Sequence, residues 1–189
     1  MGEAKRNLEN IRKSLLAEFD KWDFAPTTWE TKTIEELNSL PKVIVTRYPD
    51  HILKFMRMKP RECHANSRFM QEKDPDGRMK HVTGWLNVDD HYILHSVVDQ
   101  CGQMVCVTPV QLEQSGTFEF IPDSQIEWRE NGNVREAYRQ DVLIGPGLRS
   151  NPEKTRADLA ELRARLLSGM NPYDALHVHG ASIAGLLGK

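Results

Sequence analysis

The segment KPRECHANSRFM, residues 59–70, sets Cys63 beside His64, just after a proline and at the start of a run with helical spacing. With Pro60 near the first helical position, Cys63 falls in the first turn. Unpaired backbone N–H groups and the positive end of the helix dipole favour a thiolate there. The same N–H groups can hold the oxyanion that forms when a thiolate attacks a carbonyl. Asn66, three residues on, lies on nearly the same face and has an amide to donate. The competing reading of Cys63 is a small core residue, since free cysteine is among the most buried residue types.

A nucleophile needs a base. Of the seven histidines, only His95 lies within a well-defined strand pattern, YILHSVV. Alternation puts Ile93, His95 and Val97 on one face and Leu94, Ser96 and Val98 on the other, both largely apolar. His51, His64, His81, His91, His177 and His179 read as solvated. DQCGQ joins the His95 strand to MVCVTP, and Cys101-Gly102 suits a two-residue hairpin turn. That register sets His95 opposite Thr108, with Cys106 as its diagonal neighbour; a turn at Gln100-Cys101 would set Cys106 directly opposite. Either way, the group that orients His95 is expected at Cys106 or Thr108.

The order CHAN, then GW, then HSVV, then a short turn and VTP resembles papain-like and transglutaminase-like cysteine hydrolases over roughly residues 55–130. The resemblance implies Cys63 as nucleophile and His95 as base, with Gly84 and Trp85 lining or supporting the site. It implies an α+β fold in which the cysteine opens a helix and the histidine lies on a following strand. The third element of such proteins often reads Asp-x-Thr-Pro; here it reads Cys106-Val107-Thr108-Pro109. Aspartate fixes the imidazole tautomer and stabilises the imidazolium, which a thiol does poorly. An acid recruited from Asp89, Asp90 or Asp99, or a catalytically silent fold, are the alternatives.

Taken together, the candidate catalytic residues are Cys63, His95, Asn66, Thr108 and Cys106, with His64 and Trp85 as candidate substrate contacts. No cofactor is expected. A zinc site built from Cys63, His95 and Cys106, completed by His64 or Cys101, is a weaker reading because no C-x-x-C pair is present. Trp85, Phe118, Phe120 and Trp128 read as core.

The positioning elements follow from periodicity. Leu8, Ile11, Leu15, Phe19 and Trp22 form one apolar helical stripe over residues 4–22. Thr33 with Glu36 suggests a capping box for a short helix at 34–39. PKVIVTRYP reads as a strand, HILKFMRMK is ambiguous, and residues 61–73 read as a helix stopped by DPDG. Strands follow at 81–88, 92–98 and 104–108, with one or two more in TFEFIPDSQIEW. Residues 134–143 read as helical and GPGLRSNP as a linker. Asn151-Pro152 starts a helix over 153–168 that buries Leu159, Leu162 and Leu166 and stops at Gly169. A short helix begins at NPYDALHVHG, and ASIAGLLGK either docks or frays. This implies an α+β core over 1–145, a central antiparallel sheet with the nucleophile helix, and a helical extension over 146–189.

Length and charge bound the rest. A chain of 189 residues suits one domain with room for a helical appendage. The formal net charge of −2, from 25 basic and 27 acidic residues, carries no footprint for nucleic acid or an anionic membrane. No apolar run reaches the ~18 residues of a membrane span. Three cysteines without a spaced framework, and a polar N-terminus, suggest a cytoplasmic protein. The expected function is a thiol hydrolase or acyltransferase on an amide, peptide or isopeptide bond. The alternative is an inactive fold used as a protein-interaction or inhibitor module, its amphipathic terminal helices offering a surface to a partner or a second copy.

Overall fold

The computed structural model describes residues 2–88, 90–109 and 116–177. In chain order its elements are α1 (Glu3–Trp22), α2 (Thr28–Ser39), β1 (Val43–Arg47), α3 (Asp50–Phe55), α4 (Cys63–Glu72), β2 (Met79–Val88), β3 (His91–Gln100) and β4 (Gln103–Cys106). They continue with β5 (Thr117–Pro122), β6 (Ile126–Asn131), β7 (Val134–Arg139), β8 (Val142–Leu143), β9 (Leu148–Arg149), α5 (Pro152–Leu167) and α6 (Pro172–His177). The fold is α+β, with a sheet and flanking helices. No helix among the described residues is long and apolar enough to cross a membrane.

The chain divides into two compact units, one drawn from Met1–Ile34, Val88–His91 and Leu148–Lys189, the other from Glu35–Asn87 and Tyr92–Gly147. In the first, the apolar stripes predicted for the terminal helices meet each other. Leu15, Phe19 and Trp22 of α1 pack against Leu159, Leu162 and Leu166 of α5 and Ala175 of α6. Each large side chain so buried contributes about 1.5–3 kcal/mol. These stripes are thereby used within the fold. α5 starts as its sequence signals, with the Asn151 side chain accepting from the Lys154 N–H at 3.1 Å and Pro152 in the first turn. It stops before Gly169, which adopts φ +89°.

Within GPGLRSNP the chain passes from the second unit to the first after Gly147, and Arg149 is the polar centre of the first. The guanidinium pairs with both Glu30 oxygens, Nε to Oε1 at 2.9 Å and Nη2 to Oε2 at 2.7 Å. Its Nη1 donates to the Trp22 and Phe24 carbonyls at 2.9 and 2.8 Å, and the group lies 3.7 Å over the Phe24 ring. Glu30 sits in the first turn of α2, a helix capped by Thr27, whose Oγ1 accepts the Glu30 N–H at 3.0 Å. The helix therefore begins well before the proposed Thr33–Glu36 box. Thr33 is buried inside the helix, and Glu36 pairs with Arg139.

In the second unit, strands run β2-β5-β1-β4-β3, and β2 also pairs with β3, so five strands close on themselves. β1 and β4 are parallel, while β1–β5, β2–β5 and β3–β4 are antiparallel. The β3–β4 pairs Val98↔Val105 and Gln100↔Gln103 select the Cys101-Gly102 turn of the two registers considered. Both turn residues are left-handed, φ +53° and +89°, as a type I′ hairpin requires. The ambiguous HILKFMRMK stretch contains α3.

Residues 134–143 are strands, not a helix. β6 and β7 pair over six residues, from Ile126↔Arg139 to Asn131↔Val134, around Gly132 at φ +61°. Gln140 and Asp141, φ +51° and +63°, then turn the chain into β8. Cross-strand pairing overrode a helical spacing that was real but local.

The GW pair has a packing reason. A Cβ on Gly84 would stand 2.1 Å from the Ile121 carbonyl oxygen and 2.7 Å from Phe120, so β2 and β5 approach as closely as they do only because this residue has no side chain. Trp85 is fully buried and donates from Nε1 to Asp123 Oδ2 at 2.9 Å. Asp123 also accepts from Arg139 Nε at 2.8 Å, and Arg139 reaches Glu36 at 2.8 Å.

Two stability measurements test these constraints. Gly84→Ala is expected to cost about 3 kcal/mol or more, because the clashing atom is backbone; a melting midpoint equal to the parent's would contradict it. Arg149→Met strands a buried carboxylate and is expected to cost about 3–5 kcal/mol in a urea titration. Adding Glu30→Leu to that variant should recover much of the loss.

Candidate functional site

Cys63 is the first residue of α4. The first intrahelical bond runs from the Asn66 N–H to the Glu62 carbonyl, 2.9 Å, so the N–H groups of residues 63–65 lie outside the helical ladder. Hydrogen bonds from the Ser96 backbone of β3, and more weakly from the backbone of His64 and Cys63, favour the Cys63 thiolate. Burial outweighs them: only 9% of the residue is exposed, and desolvation pushes the thiol up to about 11. Cys63 at rest is a thiol, held against β3 at the residue that succeeds His95.

His95 is half-buried, edge-on to Phe118 and Phe120 at ring distances of 5.8 and 6.2 Å. Its Nε2 lies 3.6 Å from Cys106 Sγ. Cys106 is fully buried, which raises its pKa and keeps it protonated. Its S–H is placed to donate to the Thr108 carbonyl at 3.9 Å. The sulfur is then an acceptor for His95 Nε2–H, an assignment that follows from the network and leaves Nδ1 as the basic nitrogen. Desolvation, then His64 and Arg47, push His95 down to about 3. It is a neutral imidazole.

Arg47 escaped the sequence reading. It ends β1, its Nη1 lies 3.9 Å from Cys106 Sγ, and its guanidinium covers the Phe118 ring at 4.5 Å. The available signal was a cation continuing the Val43–Val45 face. Two of the candidate acids are engaged elsewhere: Asp99 accepts the Gly102 N–H at 2.6 Å in the hairpin turn, and Asp90 is exposed and meets Lys154 at 3.4 Å; Asp89 lies outside the described residues.

Asn66 and Thr108 serve the loop before Cys63. The Asn66 side chain donates to the Lys59 carbonyl at 2.8 Å and accepts the Lys59 N–H at 3.2 Å. It also reaches Thr108 Oγ1 at 3.4 Å. Its amide is committed to fastening residues 59–62 and the end of β4 to α4. Trp85, buried on Asp123, is a core residue here, not a substrate contact.

On the opposite face of β3 lies a polar cluster that sequence reading left as solvated histidines. His64 and His81 are half-buried and His91 is buried, whereas His51 and His177 are exposed; His179 lies outside the described residues. Ser96, fully buried, has its Oγ 2.7 Å from His64 Nδ1 and 2.9 Å from His81 Nε2. Thr83 Oγ1 stands 3.3 Å from both Ser96 Oγ and His81 Nε2 and accepts from Trp128 Nε1 at 3.0 Å. Trp128 is half-buried against His64, ring centroids 4.7 Å apart. Desolvation, then His81 and Arg135, bring His64 down to about 4. The signal available was the alternation itself, which puts His81 and Thr83 on one face of β2.

No group of three or more His, Cys, Asp or Glu suited to a metal ion occurs among the described residues. Cys101 is exposed in its turn, with its sulfur toward the Arg78 carbonyl at 3.9 Å. No family model, curated protein or solved structure matches this chain.

The histidines make stability pH-dependent. In the unfolded chain they take up a proton near pH 6.5; folded, His64 resists until about 4 and His95 until about 3. Between these limits the unfolded state binds more protons, so stability is lost as pH falls below about 6.5 and continues falling toward 3. Urea midpoints should drop between pH 7 and pH 5. His64→Asn should flatten that slope; an unchanged slope would contradict the assignment.

Proposed function

We propose that this protein is a thiol hydrolase or acyltransferase acting on an amide, peptide or isopeptide bond through Cys63 and His95. The observation that supports the reading is Cys63 as the first residue of α4, its thiolate favoured by the backbone of Ser96 on the strand that bears a neutral histidine whose Nε2 is already engaged. His95 Nδ1 takes the Cys63 proton as the sulfur attacks the substrate carbonyl carbon. The resulting oxyanion is stabilised by N–H groups at the start of α4. His95 returns the proton to the departing amine, leaving a thioester on Cys63. Water, or an acceptor amine, then attacks the thioester and its proton passes to His95, which returns it to the sulfur.

The resting thiol near 11 and the neutral imidazole support proton transfer during attack in place of a preformed ion pair. Cys106 acts as the orienter, fixing the tautomer without contributing charge. This chemistry fits the papain-like and transglutaminase-like resemblance with a thiol in place of the usual acid. The same burial of Cys63 favours a second reading, an inactive fold used as a protein-interaction module.

Peptide-amide turnover and the intact mass of an acyl-enzyme separate the two. Cys63→Ala should abolish both signals. Cys106→Asp should raise kcat/KM at least about tenfold, because a carboxylate stabilises the imidazolium that a thiol cannot. It should also lower the pH midpoint of Cys63 alkylation. Turnover surviving Cys63→Ala would sink the enzyme reading; a partner retained by Cys63→Ala, with no turnover by the parent, would establish the module.

A further inference from the structure

Ser96 follows His95 on β3, and its fully buried hydroxyl lies 2.7 Å from His64 Nδ1 and 2.9 Å from His81 Nε2. One hydroxyl serves two neutral imidazoles at once, because it donates to one nitrogen and accepts from the other. Desolvation disfavours charge on both rings, as do Arg135 beside each and Arg68 beside His81. Thr83 Oγ1, which accepts from Trp128 Nε1, stands 3.3 Å from the Ser96 hydroxyl, and the Trp128 ring packs on His64. His64 directly follows Cys63 in the first turn of α4, and the Ser96 backbone hydrogen-bonds to the Cys63 sulfur. Ser96 therefore engages two successive residues of α4, one through its side chain and one through its main chain. The other end of the helix is tied separately, Gln71 Oε1 accepting the His81 N–H of β2 at 2.6 Å.

We propose that Ser96 and His64 are positioning residues for Cys63, their hydrogen bond fastening the first turn of α4 to β3 and holding the sulfur against that strand. Without the hydroxyl, two imidazole nitrogens lose a partner in a desolvated place, and the turn that carries Cys63 loses its side-chain anchor. Water then reaches a sulfur that is now 9% exposed as a residue, and the thiol returns toward its ordinary acidity. Because Gln71 and His81 still hold the far end of α4, the loosening is confined to the first turn. The inference rests on the thiol-hydrolase reading only for its effect on turnover; the reactivity of the thiol follows from the fastening itself.

The test compares the full chain as parent, Ser96→Ala, His64→Leu and His64→Asn, each well below its melting midpoint. Iodoacetamide labelling is followed at each cysteine by peptide mass spectrometry across a pH series. Exposed Cys101 is the internal reference, and buried Cys106 reports general loosening. Ser96→Ala and His64→Leu should speed Cys63 labelling at least about tenfold relative to Cys101 and bring its pH midpoint down toward ~8.5. His64→Asn, whose amide can stand in for Nδ1, should stay within about threefold of the parent. Where the parent turns over an amide, kcat should fall at least about tenfold in Ser96→Ala and His64→Leu, as expected for a displaced nucleophile. An unchanged Cys63 profile in these two variants would overturn the proposal. So would equal labelling of His64→Asn and His64→Leu, or a matching rise at Cys106. Should Ser96→Ala not fold, the two His64 variants decide by themselves. The expected labelling pattern in a chain without turnover would remove the hydrolase reading and leave the positioning role standing; turnover through Cys63 that neither variant alters would do the reverse.

Discussion

The candidate site depends on one constraint: β3 is covered on both faces. Val97 and Val98 are each fully buried, in separate apolar clusters. A strand in that position has side chains that alternate strictly between two environments, so His95 and Ser96 cannot share one. His95 goes to the face of Val97, Cys106 and Phe120, and Ser96 to the face where His64 of α4 meets it. A one-residue slip would exchange them, separating Ser96 from His64 and His95 from Cys106. The left-handed Cys101-Gly102 turn sets the β3–β4 register, and Gly84 lets β2 and β5 approach closely enough for the strands to close.

Around that strand, desolvation dominates the electrostatics. It raises Cys63, lowers His95 and His64, and raises Cys106, and every one of these shifts favours the neutral form. The result is a site of uncharged donors and acceptors in which each buried polar atom must find a geometrically specific partner. Ser96 bridges two histidines, Cys106 bridges His95 and a carbonyl, and Asn66 clamps the loop before the thiol. Arg47 is the one cation held near the Cys106 sulfur among the described residues.

Elsewhere the fold uses charge differently. Glu30–Arg149, joined by several hydrogen bonds, and Asp123–Arg139, joined by one, are buried ion pairs that give geometric specificity rather than large net stability. They explain how a segment read as a linker and one read as a helix each come to bury an arginine. A buried arginine leaves no mark in hydrophobic periodicity, and its partner is far away in sequence, 119 residues in the case of Glu30.

Local patterns in the sequence were sufficient for the amphipathic α1, for α5 with its Asn-Pro start and glycine stop, for a helix with Cys63 in its first turn, and for the two-faced strand that carries His95. These are all short-range: helical spacing, caps and strand alternation involve residues within a few positions of each other. The sequence also restricted the orienter of His95 to two positions and one of two registers. Tertiary structure decided which register held, that residues 134–143 pair as strands, and that His64 and His81 enclose Ser96 instead of meeting solvent. It also committed Asn66 to Lys59. The physical reason is the same in each case. Cross-strand pairing, desolvation and hydrogen-bond partnership depend on neighbours in space, and those neighbours exist only once the sheet has closed.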